Sequence, residues 1–382
     1  MDANQTTGQH VLHFLGRKKK VQFEESKIKD TTMKRALIFG ATGQDGSYLS
    51  ELLLGKGYKV YGFARRSSNN NLHRIAHLLD DPHFTIVKGD VTDYGSVLNA
   101  FGEAFGPDEV YNLAAMSHVH VSFDEPSHTF DTVTKGALHV FEAARHYREI
   151  SEPRYEPRIY QASSSEMFGS ACSYGRCGPN LSEVDTGVKF QDESTPFIPQ
   201  SPYAVAKVAA HHYAQLYRQC YGMHISCGIL FNHESPRRGD QFVTKKIVNY
   251  IQGLQHPAIA NFNNPPTKLF HKLKLGNINT QRDWGYASEY TTVMWLMLQQ
   301  DTPDDYVVAT GETHSVKDFL EHAFNLVGLD WQDYVDIDQD LFRPADVEYL
   351  RGDASKIKEK LGWEAKIKFE QLVSIMMGVE HK

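Results

Sequence analysis

From Met33 onward, short apolar segments alternate with segments that have the spacing of amphipathic helices. Strands are predicted for RALIFG, KVYGFA, FTIVKGD, DEVYNLAA, PRIYQAS and HISCGILFN, and helical patterns lie between them. Strands that alternate with helices form a parallel sheet covered by helices on both faces. We therefore predict an α/β fold with a doubly wound parallel sheet.

The pattern divides the chain into three predicted regions. Residues 1–32 are polar and lack periodicity, so we expect a disordered N-terminal extension. Residues 33–232 are predicted to form a nucleotide-binding domain, completed by parts of 280–315. Residues 233–279 and 316–382 mix loops with short helices. We expect them to form a smaller C-terminal substrate-binding lobe at the carboxyl ends of the strands, where such folds bind ligands.

Charge and cysteine content exclude several classes of protein. A net charge of −7 argues against a general nucleic-acid binder, and no apolar run approaches the roughly 20 residues of a membrane span. Four cysteines are too few for a disulfide scaffold, so we expect a reducing cytoplasm. A bridge or metal pair at Cys172 and Cys177 stays open, as does a localisation signal at residues 17–20. We predict no metal site and expect His211 and His212 to be packing or surface residues.

A glycine-rich turn follows the first predicted strand. Gly40, Gly43 and Gly46 have the spacing GxxGxxG, which lets a backbone approach a pyrophosphate at a helix N-terminus. The same spacing also occurs in strand–helix turns that bind nothing. Arg65 and Arg66 end the second strand and suit the 2′-phosphate of NADP better than the ribose hydroxyls of NAD, although a solvated basic pair is the alternative. We predict a Rossmann-like NADP site formed by Gly40, Thr42, Gly43, Gln44, Asp45, Gly46, Arg65, Arg66, Ser67, Ser68, Asp90, Val91, Leu113, Ala114, Ala115 and Ser117.

Tyr203 and Lys207 lie in SPYAVAK, four residues apart and therefore on one face of a helix. Ser201 is the expected N-cap of this helix, and Pro202 occupies its first turn. An ammonium beside a phenol favours the phenolate. We therefore expect Tyr203 to accept a proton well below the pKa of free tyrosine.

Ser164 and Glu166 lie in QASSSEMFG, just after the fifth predicted strand. Residues two apart on a strand project to the same side, so we expect this hydroxyl and this carboxylate to face Tyr203 together. A turn cap and an exposed charge are the alternatives for the two residues. With Tyr203 they provide a hydrogen-bond donor, a carboxylate acid/base and a phenol base, which is more than a simple alcohol oxidation needs.

A series of motifs then occurs in order: GATGQDGSYL, RRSS, EVYNLAAMSHV, QASSSEMFG, SPYAVAK, GILFNHESPRRG and RDWG. From about Met33 to its C-terminus, the chain resembles the GDP-mannose 4,6-dehydratases of the extended short-chain dehydrogenase/reductase group. NHESPRRG discriminates most, because it belongs to the substrate lobe. The resemblance implies a hydro-lyase that converts GDP-mannose to GDP-4-keto-6-deoxymannose by internal hydride transfer through bound NADP, the first step toward GDP-deoxysugars such as GDP-fucose. It also implies a homodimer or homotetramer.

The resemblance implies roles at matching positions. Tyr203 corresponds to the base for the C4 hydroxyl, Lys207 to its activator and Glu166 to the acid/base at C5 and C6. Ser164 stands where many relatives have Thr, and either hydroxyl can donate to O4. The resemblance adds His233 and Arg238 as cofactor contacts, and the implied substrate contacts are Ser164, Glu166, Asn232, Lys246, Arg282 and Arg343.

Two features depart from the family pattern. His128 falls where many relatives place a Tyr, and the polar insertion 170–195 lengthens the interval between Glu166 and Tyr203. We expect the insertion to form a surface loop. His118 is either a ligand contact or a structural histidine. The alternative functions are another nucleotide-sugar dehydratase, an epimerase, which does not need Glu166, or a catalytically silent NADP-binding protein.

Overall fold

A computed structural model of the chain describes residues 33–66, 71–150, 155–169, 171, 190–255 and 271–379. The predicted extension 1–32, most of the 170–195 insertion, both of its cysteines, Ser67 and Ser68 lie outside the described residues. Contacts between Cα atoms group Lys34–Lys382 into one compact unit and Met1–Met33 into another. The division of the larger unit into a cofactor domain and a substrate lobe stays a prediction.

A seven-stranded parallel sheet forms the centre of the larger unit. This confirms the predicted doubly wound α/β fold. The strands lie in the order β11-β6-β5-β4-β1-β2-β3. Their bounds are β1 Arg35–Phe39, β2 Lys59–Arg65, β3 Phe84–Gly89, β4 Glu109–Asn112, β5 Arg158–Ala162, β6 Ile225–Leu230 and β11 Asp305–Val308.

Eleven α-helices are defined in the described parts of the chain. Their bounds are α1 Gln44–Gly55, α2 Tyr94–Glu103, α3 Val119–Asp124, α4 Pro126–Phe130, α5 Gly136–Ile150, α6 Pro202–Tyr221, α7 Val243–Leu254, α8 Ala287–Met297, α9 Val316–Asn325, α10 Ser355–Leu361 and α11 Phe369–Met377. Six short strands complete the structure: β7 Asn232–Glu234, β8 Leu273–Leu275, β9 Gln281–Arg282, β10 Trp284–Tyr286, β12 His314–Ser315 and β13 Val335–Ile337. Within these ranges, no helix is both long and apolar enough to cross a bilayer.

Alternation along β1 explains why helices cover both faces of the sheet. Leu37 and Phe39 join the apolar cluster formed with α2, α5 and α6. Ala36 and Ile38 join the cluster on the opposite face, with α1 and α8. Successive strand residues point to opposite faces, and each fully buried aliphatic side chain contributes about 1.5–3 kcal/mol through removal from water. A further cluster packs α7, α9 and α11 around Trp284.

One predicted helix begins later than expected. The apolar spacing of WGYASEYTTVMWLMLQQ predicts an amphipathic helix over the whole segment, but Trp284–Tyr286 forms β10 and pairs in parallel with Asn232–Glu234. The helix begins only at Ala287. Backbone pairing with β7 explains the difference, and Gly285 permits it, since a Cβ at this position would lie 2.3 Å from the ring of Tyr290. The backbone is therefore extended here and packs directly against an aromatic ring.

The glycine turn between β1 and α1 is held by two close approaches. Gly40 has φ +85°, and a Cβ there would lie 3.0 Å from the backbone of Leu113. A Cβ on Gly46 would lie 2.3 Å from the carbonyl oxygen of Gly40. The first turn of α1 can therefore pack on the end of β1 only if position 46 has no side chain.

We expect Gly46→Ala to lower the free energy of unfolding by about 1–3 kcal/mol, the usual cost of overpacking. Gly55→Ala is the matched control, because it lies at the other end of the same helix and a Cβ there has no neighbour within 4 Å. The control should be neutral or stabilising by up to about 1 kcal/mol, since alanine favours helix. Urea unfolding of both variants measures the two effects. Equal stability of the variants would contradict the packing argument.

Candidate active site

A cavity of about 1000 Å³ lies at the carboxyl ends of the parallel strands. In five strands, the residue that directly follows the strand lines the cavity. These residues are Gly40, Asp90, Leu113, Ser163 and Phe231. With three exceptions, all the residues predicted for the cofactor and the substrate line this cavity. Arg66 is exposed and does not line it, and Ser67 and Ser68 lie outside the described residues.

The N-terminus of α1 opens into this cavity. The N-cap is Gly43, which has no side chain that could cap the first N–H groups of the helix. Asp45 lies in the first turn, where His233 pairs with it at 2.8 Å between Nε2 and Oδ2. Burial alone would raise the pKa of Asp45, but the charge and hydrogen bond of His233 lower it. An imidazolium thus balances the carboxylate, which preserves the positive end of the helix for an anion.

Ser164 and Glu166 both line the cavity, but not for the reason given by the strand pattern. Strand β5 ends at Ala162, and Ser164 caps a 3-10 turn over Ser165–Met167. The hydroxyl of Ser164 accepts from the backbone N–H of Glu166 at 3.3 Å. The expectation that a pleated strand orients the two side chains was wrong, because serine at a strand end readily caps the following turn.

Tyr203 and Lys207 begin α6 on its buried face, as their spacing predicted. The hydroxyl of Ser201 caps the helix by accepting from the N–H of Ala204 at 3.1 Å. Lys207 Nζ lies 5.8 Å from the centre of the Tyr203 ring and donates to the carbonyl oxygen of Ala162 at 2.8 Å. The helix therefore brings an ammonium and a phenol to the end of β5.

Burial dominates the ionisation of both groups. It raises the pKa of Tyr203 to about 12, although a hydrogen bond from Ser164 lowers it. It also lowers the pKa of Lys207 to about 8. The expectation of a lowered phenol pKa was therefore wrong for the protein alone, because removing a phenolate from water costs more than the neighbouring donors return.

A chain of alternating charges that starts at Glu166 also lines the cavity. Arg282 Nε lies 3.9 Å from Glu166 Oε1, and Arg282 Nη2 lies 3.2 Å from Asp346 Oδ1. Arg343 Nη1 contacts the same oxygen of Asp346 at 3.2 Å. Lys246 adds a further cation to the lining. Positive charge is therefore concentrated near the one carboxylate predicted to act as acid/base.

The NHES segment joins the cofactor region to the smaller elements. Asn232–Glu234 forms β7, and the ring of His233 stacks on Tyr290 with centroids 4.9 Å apart. Arg238 Nε pairs with Glu234 Oε2 at 3.0 Å and its guanidinium lies over Phe242. The structure thus places Asn232, His233 and Arg238 in one short stretch of the lining.

Several lining residues had no signal in the sequence. Arg74 lies in a 3-10 helix after β2, and its Nε donates to the carbonyl of Arg237 at 2.8 Å. Thr132 lies in a π-helix, Asp131–Lys135, a form often found near functional sites. His118 was expected to be either a ligand contact or a structural histidine. It lines the cavity, and its ring also caps α3 by accepting from the N–H of Val121 at 3.2 Å. Such residues are found only once distant segments are folded together.

The substituted position His128 also lines the cavity. The insertion does not separate the catalytic candidates, because Glu166, Tyr203 and Lys207 line the same cavity. Among the described residues, His211, Cys227 and Asp305 place potential metal-binding atoms within 4.8 Å of one another. They lie on α6, β6 and β11, so sequence spacing did not indicate this group.

Comparison with solved structures agrees with the fold. The dTDP-glucose 4,6-dehydratase DesIV of Streptomyces venezuelae, solved with NAD, gives a TM-score of 0.74 at 21% identity over 90% of this chain and 96% of that chain. A UDP-glucose 4-epimerase of Thermus thermophilus, also solved with NAD, gives 0.71 at 22% identity over 90% and 98%. At these identities the likeness concerns architecture.

Sequence comparison is more specific. The family model described as GDP-mannose 4,6 dehydratase matches residues 37–376. GDP-mannose 4,6 dehydratase 1 of Arabidopsis thaliana is 50% identical over 354 residues, 90% of this chain and 89% of the relative. The GDP-mannose 4,6 dehydratase of Drosophila melanogaster is 41% identical over 374 residues, 92% and 87% of the two chains. The chain belongs to the GDP-mannose 4,6-dehydratase family.

Proposed function

We propose that this chain removes water from GDP-mannose to give GDP-4-keto-6-deoxymannose. One observation carries the proposal: Ser164, Glu166 and Tyr203 line the same cavity as the glycine turn. An epimerase needs a base and a cofactor but has no use for a carboxylate such as Glu166 beside the sugar. Relatives from a plant and an animal are named for this reaction.

We propose NADP as the cofactor. The glycine turn fits a dinucleotide because Gly40, Gly43 and Gly46 line the cavity without side chains at the N-terminus of α1. Arg65 lines the cavity at the end of β2 and supplies a cation for a 2′-phosphate. A cofactor held here would supply hydride transfer, from C4 of the sugar and back to C6.

Tyr203 is the proposed base for the C4 hydroxyl. Ser164 lowers the pKa of its phenol by donating to it. Once Tyr203 has taken the C4 proton and become a donor itself, the single hydroxyl proton of Ser164 can turn to O4 of the sugar. In this first step the O–H bond breaks, the proton moves to Tyr203 and C4 becomes a ketone. Because burial raises the pKa of Tyr203, the step depends on the cations around it, of which Arg238 lowers that pKa.

Glu166 is the proposed acid/base for the elimination. A ketone at C4 acidifies the hydrogen on C5, and the carboxylate of Glu166 removes it as a proton. The C6–O bond then breaks as the same proton passes to the leaving hydroxyl, which departs as water. Tyr203 returns its proton to C5 when C6 is reduced. Protons and electrons therefore balance within one turnover.

Three cations of the cavity lining are the proposed contacts of the diphosphate: Lys246, Arg282 and Arg343. Arg343 and Lys246 line the cavity, and Arg282 lies between Glu166 and Asp346. Guanidinium groups bind phosphate oxygens in a bidentate way. Binding of the diphosphate would release Arg343 from Asp346, so the ion pairs seen here hold the arginines ready for an anion.

The proposed function predicts that purified protein supplied with GDP-mannose forms a nucleotide sugar lighter by the mass of one water. Glu166→Gln should keep cofactor binding but reduce turnover by about a hundredfold or more, since it removes a general acid/base. Mass spectrometry of the nucleotide sugars measures the product of the wild-type protein and the turnover of the variant. A nucleotide sugar of unchanged mass would favour an epimerase or a silent NADP-binding protein.

The cofactor proposal predicts a difference between two adjacent arginines. Arg65→Ala should weaken NADP binding by about tenfold or more, because a charge-assisted hydrogen bond contributes about 1.5–3 kcal/mol, and should leave NAD binding almost unchanged. Arg66→Ala is the matched control, since Arg66 does not line the cavity. Calorimetric titration of the cofactor-stripped protein measures both affinities. Equal losses of NADP and NAD affinity in Arg65→Ala would refute the assignment of the 2′-phosphate.

The low pKa of Lys207 predicts an alkaline limit to activity. Burial lowers this pKa to about 8, so the ammonium is present below that pH and lost above it. If the ammonium supports Tyr203, kcat/KM should fall as pH rises through about 8. Lys207→Arg keeps the charge and should move this fall to higher pH. A pH profile that is identical in the two proteins would show that Lys207 does not set the limit.

A further inference from the structure

Three contacts join α6 to the segment that follows β5. Tyr203, Lys207, His211 and Gln215 are spaced by four residues and therefore share one face of the helix. Tyr203 meets Ser164, Lys207 Nζ donates to the carbonyl of Ala162, and the ring of His211 meets Ser163. The distance from His211 Nδ1 to Ser163 Oγ is 2.8 Å, and the imidazole is 1% exposed. The proposed mechanism uses the first two contacts and leaves the third unexplained.

Neighbouring groups determine the tautomer of His211. Gln215 Nε2 lies 2.9 Å from Asp305 Oδ2 and 3.1 Å from His211 Nε2. An amide NH₂ only donates, so His211 Nε2 accepts and the ring proton is on Nδ1. The amide orientation agrees with its other end, where Gln215 Oε1 lies 3.1 Å from His212 Nδ1. Nδ1–H of His211 therefore donates to Ser163.

The imidazole stays neutral in this environment. Burial lowers the pKa of His211 to about 4, although Asp305 raises it. The charged groups that face the ring are Asp305 on β11 and Arg218 on α6, and these two pair with each other. The thiol of Cys227 on β6 lies within 4.8 Å of the nearest ligand atoms of His211 and Asp305. The direction of the hydrogen bond to Ser163 is therefore constant across the ordinary pH range.

A metal ion is the competing explanation for this cluster. His211, Cys227 and Asp305 have suitable atoms, but Gln215 Nε2 already donates to both His211 Nε2 and Asp305 Oδ2. Arg218 Nη2 donates to Asp305 Oδ1 and lies 3.9 Å from Cys227 Sγ. A cation would have to displace one N–H donor and approach a second positive charge. The contacts favour a hydrogen-bonded support without metal.

We propose that His211 is a positioning residue for the dehydration, which holds Ser163 so that the adjacent Ser164 keeps its place beside Tyr203 in the cavity lining. This inference rests on the proposed function. The hydroxyl of Ser164 must be placed to within a few tenths of an ångström to bond both Tyr203 and the sugar oxygen. The backbone of Ser164 follows Ser163 directly. The bond from His211 to Ser163 therefore limits the movement of Ser164 relative to α6, the helix that carries Tyr203.

The first test compares kinetic variants. His211→Leu should reduce kcat about 10- to 100-fold, as expected for a small misplacement of reacting groups, with KM for GDP-mannose little changed. In the enzyme loaded with NADP, where a bound nicotinamide cation would add to the groups that lower the pKa of Tyr203, displacement of Ser164 should raise this pKa again, so the acid limb of kcat/KM should move to higher pH. If the variant only reduced the amount of folded protein, kcat/KM would fall equally at every pH and the acid limb would stay at the same pH. His211→Asn keeps an N–H near Nδ1 and should restore most of kcat.

Two controls isolate the contact. Leu216→Ala changes an exposed side chain on the same helix and should leave kcat and the acid limb unchanged. Ser163→Ala should reproduce the defect of His211→Leu, and the double variant should be little worse than either single variant, because residues that act through one bond are not additive. Additive losses, or an unmoved acid limb in His211→Leu, would overturn the proposal.

A second test does not depend on activity. Nitrogen-15 NMR of histidine-labelled protein, with His211→Asn used to assign the signal, should show the Nδ1-protonated tautomer. An Nε2-protonated or charged ring would overturn the proposal. So would stoichiometric metal in the purified protein that is lost in Cys227→Ala. If wild-type protein fails to dehydrate GDP-mannose but shows the expected tautomer, the proposed function fails while the hydrogen bond itself stands.

Discussion

The bond from the buried ammonium of Lys207 to the carbonyl of Ala162 sets the geometry of the site. Ala162 is the last residue of β5, and Lys207 lies near the start of α6. An unpaired charge at this depth would be costly, so the helix and the strand end have one favourable relative position. That position brings Tyr203 beside Ser164, and Glu166 follows in the next turn.

Buried charges around the cavity occur in pairs. Asp45 pairs with His233, Glu234 with Arg238, and Glu166 lies beside Arg282. Paired charges are only weak evidence of stability, because each pair repays a large desolvation cost. Their value here is functional, since each pair keeps an ionised group fixed in a site that must receive an anionic ligand. In the proposed complex, the arginines that pair with Asp346 would exchange this carboxylate for phosphate.

Local patterns predicted the elements well where one physical cause acted alone. The strands of the sheet follow from apolar runs, and α6 follows from its Ser201 cap and Pro202. Patterns failed where a contact between distant segments competed with local preference. Trp284 joined a strand because β7 offered it backbone partners, and the phenol of Tyr203 is harder to ionise than expected because the fold removes it from water.

The sequence alone determined the parallel sheet, the position of the glycine turn and the family, because these depend on periodicity and on motifs of adjacent residues. It also indicated most of the residues that line the cavity. Only the tertiary structure decided that Arg65 lines the cavity while Arg66 does not, that Arg74 and Thr132 join the lining, and that His211 bonds to Ser163. These features depend on distances between segments far apart in the chain, and burial then changes the charge states that the residue types alone would suggest.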